Sequence, residues 1–365
     1  MTATDTPGTP TGDRALDPDK LMAFVFRAVD EVGGTLNTAL VVMGDRLGYY
    51  RLMADGAPTT PTRLAERSGT GEPYAREWLN AQAAGGYVTY DPPSGTYTLP
   101  PEQAVAFTDE GSPAYLPGFF QLALGALRDA PRVVEAARSG DGLGWLDHND
   151  DVFTGCERFF RPGYHANLVG SWLPSLEGVT ERLANGARVA DVGCGHGAST
   201  VLLAEAFPGS RIHGSDYHAG SIDVARRRAA EAGVDDRTVF ETAPATGFTG
   251  GPFDLVTTFD ALHDMGDPIG AARHVLDNLA DDGTWMIVEP AAGDRVEDNL
   301  NPIGRLSYGF STLLCTPGAL AQDVGLALGA QAGPARIRDV VTSAGFTRFR
   351  LAAQTPFTNV LEVRK

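Results

Sequence analysis

The 365-residue chain reads as an α/β protein, a doubly wound and mostly parallel sheet preceded by a mainly helical half. Three observations predict this. From Ala187 onward, apolar runs of strand length alternate with runs of helical composition. The first such run, Val189-Ala190-Asp191-Val192, stops at an acid and passes through Gly193-Cys194-Gly195-His196-Gly197 into a helical stretch from Ala198 to Phe207. Before residue 187 the chain carries apolar helical stretches and a single hairpin signal.

Taken in order, residues 1–20 are rich in Thr, Pro, Gly and Asp and lack an apolar core, which predicts a disordered tail without a secretory signal. No membrane span follows, so a cytoplasmic protein with no membrane partner is expected. Residues 21–110 form the first domain. Two helices are predicted there, Leu21 to Val32 and Leu36 to Met53, broken at Gly33-Gly34 and too apolar for one solvent-facing surface, so burial against another subunit or domain is expected. Thr60 can cap a short helix that begins at Pro61 and stops at Gly69. A second helix, Glu72 to Ala84, precedes a hairpin of Tyr87–Tyr90 and Thr96–Leu99 around a Pro-Pro-Ser-Gly turn. Helix, turn, helix and hairpin is the order of a winged helix.

Such a module can bind DNA or serve as a scaffold. Between Thr59 and Pro100, however, Arg63, Arg67 and Arg76 face four acids, Glu66, Glu72, Glu77 and Asp91, and the whole chain carries a net charge of −17. Phosphate binding needs Lys and Arg to displace counterions, so no nucleic-acid partner is expected. Residues 111–186 read as a helical linker covering the active site, with Tyr164 and Trp172 in its aromatic cluster as candidate substrate contacts.

Residues 187–365 hold the sheet. Strands are predicted near 188–192, 211–215, 238–242, 255–259 and 285–289, helices at 221–232, 269–279 and 335–344, and a closing hairpin at 348–353 and 359–363. Ligands in such sheets sit at the carboxyl ends of the strands, where Asp191, Asp216, Asp260 and Glu289 fall. The glycine loop lacks the Gly-Lys-Ser/Thr of a P-loop and places Ala198 where a dinucleotide fingerprint has its third glycine. Its pattern, D-x-G-x-G-x-G, resembles motif I of class I S-adenosylmethionine (SAM) methyltransferases. Asp216 ends the next strand about 20 residues past the loop, the spacing of a ribose ligand.

His263, in the turn Ala261-Leu262-His263-Asp264-Met265-Gly266-Asp267-Pro268, follows the strand ending at Asp260 and can remove a substrate proton near neutral pH. Glu289 ends the adjacent strand and can orient that imidazole. No metal is expected: the histidines show no ligand spacing, and Cys156, Cys194 and Cys315 form neither a C-x-x-C pair nor a disulfide framework.

Winged helix, glycine loop, Leu-His-Asp turn and strand-ending glutamate together resemble the small-molecule methyltransferases of the plant-type O-methyltransferase plan. The LHDMGDP turn and NPIGRLSYG stretch resemble the actinobacterial and mycobacterial winged-helix methyltransferases. The resemblance implies a Rossmann-like sheet of seven strands with a terminal antiparallel hairpin, a homodimer joined through the N-terminal helices, and SAM as methyl donor, leaving S-adenosylhomocysteine. It implies His263, Asp264 and Glu289 as catalytic residues. Asp191, Gly193, Gly195, Gly197, Asp216, Tyr217, Thr242, Ala243 and Asp260 are the implied cofactor contacts. Thr242-Ala243-Pro244 stands where the family has an acid after the third strand, and Gln331 where it has a second glutamate. The insertion 291–333 falls where substrate lids occur, and Tyr308 is its candidate substrate contact. The expected reaction is O-methylation of a small, fairly apolar metabolite. The alternatives are N-, C- or S-methylation and a SAM-sensing winged-helix regulator.

Overall fold

The computed structural model describes residues 16–365. Most of the expected tail lies outside them, but the first helix already begins at Pro18, so residues 18–20 are helical. This helix, α1 (Pro18–Arg46), starts where the Asp17 carboxylate accepts from the backbone of Asp19 and Lys20. It runs straight through Gly33-Gly34, correcting the expected break. A helical glycine costs only about 1 kcal/mol, less than abandoning the turns on both sides. The chain turns instead at Gly48, where φ is 72°, before α2 (Tyr49–Met53).

The winged helix follows as α3 (Pro61–Ser68), α4 (Glu72–Ala84) and the hairpin β1 (Thr89–Asp91) and β2 (Thr96–Thr98). Thr60 caps α3 as expected, accepting from Arg63 N. Trp78 of α4 fills the core of this domain between Tyr49 and Tyr50 and donates to Leu40 O of α1. The other face of α1 is uncovered among the described residues: Phe24, Phe26, Val29, Val32 and Leu36 are each at least 60% exposed. A helix this apolar on its open side is built to be covered.

Helix α5 (Pro101–Thr108) leads to the long pair α6 (Pro117–Ser139) and α7 (Asp150–Asn167). Glycines let the two pack closely: a Cβ at Gly155 would stand 2.4 Å from Leu122 N. Arg158 of α7 ties this pair to α1 through Asp45. A π-helical turn, Leu168–Trp172, and α8 (Val179–Ala184) complete the linker.

The sheet domain comprises β3 (Arg188–Val192), α9 (Ala198–Ala206), β4 (Arg211–Asp216), α10 (Ala219–Glu231), β5 (Thr238–Thr242), β6 (Phe253–Phe259), α11 (Pro268–Asn278) and β7 (Leu279–Pro290). The insertion then contributes α12 (Pro302–Phe310), a second π-helical turn (Ser311–Cys315) and α13 (Thr316–Leu320), before α14 (Gly333–Ala344), β8 (Arg348–Gln354) and β9 (Thr358–Arg364). Strand order is β5-β4-β3-β6-β7-β9-β8, with β9 antiparallel to both β7 and β8. The predicted seven-stranded sheet with its closing hairpin is thus the observed one. Apolar side chains from the two faces form separate cores, one under α9 and α10 and one under α11 and α14. Strand order reverses between β3 and β6, which opens the crevice there.

Candidate active site

The glycine loop joins β3 to α9, and its backbone hangs on β4: Gly193 N and Cys194 N both donate to Ser215 O. At Gly195 φ is 52°, and an added Cβ would meet nothing within 4 Å. That face of the loop is therefore open to a ligand. Gly197 is closed for a different reason, since a Cβ there would stand 2.8 Å from Ala225 of α10. Asp216 Oδ2 accepts from Gly195 N at 3.0 Å and Oδ1 from His218 N at 2.8 Å. Burial raises its pKa and these two bonds oppose the rise. The carboxylate fixes the loop and keeps lone pairs for a hydroxyl.

Asp191, expected to touch the cofactor, is fully buried and already accepts from the hydroxyls of Ser199, Thr200 and Thr257 at 2.6–2.9 Å. Its contacts are to the start of α9 and to β6, so it supports the loop from beneath. Tyr217 and Thr242 are exposed and Ala243 is buried, with Ala243 N bonded to Asp216 O. These three follow the ends of β4 and β5, where the sequence placed them.

Across the crevice, β6 is followed by Asp260, a non-glycine residue at φ 47°. Such strain collects at functional positions. Burial, with the Glu289 carboxylate adding to it, pushes the Asp260 pKa up to about 8. Tyr164 donates to its Oδ2 at 3.4 Å. The following turn buries His263, whose Nδ1 pairs with Glu289 Oε2, while Glu289 Oε1 accepts from Leu262 N at 3.1 Å. The expected imidazole–carboxylate pair is thus formed by adjacent strand ends. Burial alone would lower the His263 pKa, but the Asp264 and Glu289 carboxylates outweigh it and hold it well above the ordinary value. Gln322 clamps the turn by donating to Asp264 O and accepting from Gly266 N.

The wall beside His263 is apolar and aromatic. Phe310, Phe119, Phe159, Phe160, Tyr164 and Phe259 follow one another at centroid separations of 4.7–6.1 Å, from α12 to the end of β6. Leu313 and Leu314 of the insertion join Leu122, Ala126 and Val152 in the same cluster. Trp172 is a core residue, 3% exposed against Phe259, which corrects its reading as an open substrate contact. Only its Nε1, buried without a partner, remains to meet a ligand. Tyr308 is half-buried on α12 and makes no side-chain bond to the His263 turn among the described contacts. Sequence reasoning missed Cys315 and Gln322, which lie in the insertion and reach the turn only through the fold. Gln331 lies apart from His263 in its bonding, with Nε2 donating to Ala330 O.

A seven-stranded sheet with a C-terminal hairpin, a glycine loop open at its middle residue and a buried His–Glu pair across the crevice define the class: a methyltransferase-type domain behind a winged helix. Residues 190–285 match the family model described as a methyltransferase domain, and residues 35–109 match the one described as an Rv2258c-like winged HTH domain. The chain is 32% identical over 153 residues to 27-O-demethylrifamycin SV methyltransferase of Amycolatopsis mediterranei, a match covering 40% of this chain and 48% of that one. It spans about half or less of the length of the curated relatives it matches. Among solved structures, mitomycin 7-O-methyltransferase superposes with a TM-score of 0.72 at 16% identity, covering 96% of this chain and 100% of that one. Human N-acetylserotonin methyltransferase in complex with SAM does so with a TM-score of 0.66 at 16% identity, covering 97% and 99%. At such identities the likeness is one of fold.

Proposed function

We propose that the protein is a SAM-dependent methyltransferase that acts on a hydroxyl of a small, fairly apolar metabolite, with His263 as the general base. The observation that carries this reading is the arrangement of the crevice, with the open Gly195 loop and Asp216 on one side and the Glu289-held imidazole on the other. The loop fits a cofactor that needs close backbone approach and a hydroxyl ligand and has no phosphate. SAM, when bound there, supplies an electrophilic methyl carbon. The chain's own residues do the rest: Asp216 holds the ribose, the aromatic wall from Phe310 to Phe259 orients the acceptor and excludes water, and the neutral form of His263 takes the acceptor proton at Nε2 while Glu289 stabilises the imidazolium. Methyl transfer from labelled SAM to a panel of phenols and apolar alcohols tests the reading. Label on carbon, nitrogen or sulfur instead would reassign the acceptor atom.

The two flanking residues give graded outcomes. Asp216→Ala is expected to weaken SAM by about 1–3 kcal/mol, the scale of a lost charge-assisted hydrogen bond, as read by calorimetric titration. Glu289→Gln is expected to lower turnover less than loss of His263 does, because an amide still holds the ring but cannot stabilise its charge. Steady-state kinetics on the two variants check that order.

The winged helix is read as a dimer scaffold. The exposed apolar face of α1 fits a second copy, and Arg76, on the helix that would enter a DNA groove, is already paired with Glu72 and Glu77. A low-salt mobility-shift assay with genomic fragments that gave specific complexes would favour the regulator instead.

A further inference from the structure

Asp264 Oδ1 is buried with no N–H or O–H donor aligned on it, and the Cys315 thiol is the side chain that bonds to this carboxyl group. Oδ1 lies 3.2 Å from His263 Nε2, off the line of the ring N–H, in a cluster that also holds the carboxyl groups of Asp260 and Glu289. A carboxylate oxygen buried there without an aligned donor is costly. Cys315 also belongs to the cluster: the donor atoms of His263, Asp264 and Cys315 all lie within 4.8 Å of one another.

We propose that His263 Nε2, Asp264 Oδ1 and Cys315 Sγ form a binding site for a thiophilic divalent cation of the zinc type, with at least one coordination position left open. The donor set is one nitrogen, one oxygen and one sulfur, which selects zinc or cobalt over magnesium or calcium. Tetrahedral zinc with bonds of about 2.0–2.3 Å sets its donors about 3.3–3.8 Å apart. The nitrogen–oxygen pair has nearly that separation already, and a side-chain shift of about 1 Å brings in the sulfur. Glu289 on Nδ1 leaves Nε2 as the ligand nitrogen, the arrangement of carboxylate–histidine–metal sites. Cys315 closes a π-helical turn, a geometry that recurs at functional positions. The Asp264 side chain is 31% exposed and gives the ion a way in. Binding releases the Cys315 thiol proton, and any proton on Nε2, to solvent.

Nε2 is also the atom assigned to receive the acceptor proton, so it carries either the ion or that proton. Loading the ion therefore inhibits methyl transfer. This consequence rests on the proposed function, whereas ion binding does not.

Cobalt(II) titration of the full-length, chelator-stripped protein, followed by absorption, reads the site directly. The expected result is a thiolate-to-cobalt charge-transfer band in the near ultraviolet that saturates at one ion per chain. It should persist in Cys156→Ser, vanish in Cys315→Ser and require about 10–100-fold more cobalt in Glu289→Gln. Circular dichroism establishes that each variant is folded. Should Cys315→Ser not fold, Asp264→Asn takes its place, and a weakened band at the same wavelength supports the site. No band in the folded wild type, a band that survives Cys315→Ser, or an Asp264→Asn affinity equal to wild type overturns the proposal. S-adenosylhomocysteine binding by the same metal-free sample separates the two claims: heat without a cobalt band rejects the ion site and leaves the methyltransferase reading standing.

Discussion

Alanine in place of His263 is expected to cut turnover by about 10²–10⁴-fold, the usual contribution of one positioned base, while SAM affinity stays nearly unchanged. The imidazole belongs to the acceptor side of the crevice: its polar partners are the side chains of Glu289 and Asp264. The loss should therefore fall on kcat and not on cofactor binding. Raising the pH should partly rescue the variant when the acceptor is an acidic hydroxyl that ionises unaided. Single-turnover kinetics with saturating SAM measure both effects. Full activity in His263→Ala would leave proximity and desolvation as the source of catalysis and remove the main reason for choosing oxygen as the methyl acceptor.

Valine in place of Gly195 is expected to abolish SAM binding without unfolding the chain. At φ 52° a β-branched residue is strained, and its side chain would enter the space where nothing now lies within 4 Å. The same shift would disturb the 3.0 Å bond from Gly195 N to Asp216. The cores on the two faces of the sheet do not involve Gly195, so the far-ultraviolet dichroism and melting profile should remain close to wild type. Calorimetry with S-adenosylhomocysteine reads the loss, and unchanged affinity would mean that the cofactor lies elsewhere.

Local signals made most of the fold legible in the sequence. The Thr60 cap, the strand carrying Asp191 and the strand ending at Asp216 are each written within a few residues, and each falls where expected. The pairing of His263 with Glu289 was legible too, because consecutive strands of a parallel sheet end side by side. Decisions made by distant contacts were not. Gly33-Gly34 reads as a break, yet the helix continues through it, since each helical glycine costs only about 1 kcal/mol against the turns on both sides. Asp191 reads as a ligand because it stands at a strand end, and only the positions of Ser199, Thr200 and Thr257 reveal that its carboxylate is already committed. Cys315 and Gln322 arrive at the His263 turn from an insertion whose path has no periodic signal.

The central claim is that this crevice binds SAM beside a base, and an isothermal titration of the folded full-length protein with S-adenosylhomocysteine tests it most directly. One saturable site per chain, lost in Gly195→Val, weakened in Asp216→Ala and retained in His263→Ala, is the predicted result. No binding heat from wild-type protein whose dichroism shows it folded, or equal loss in all three variants, would contradict it.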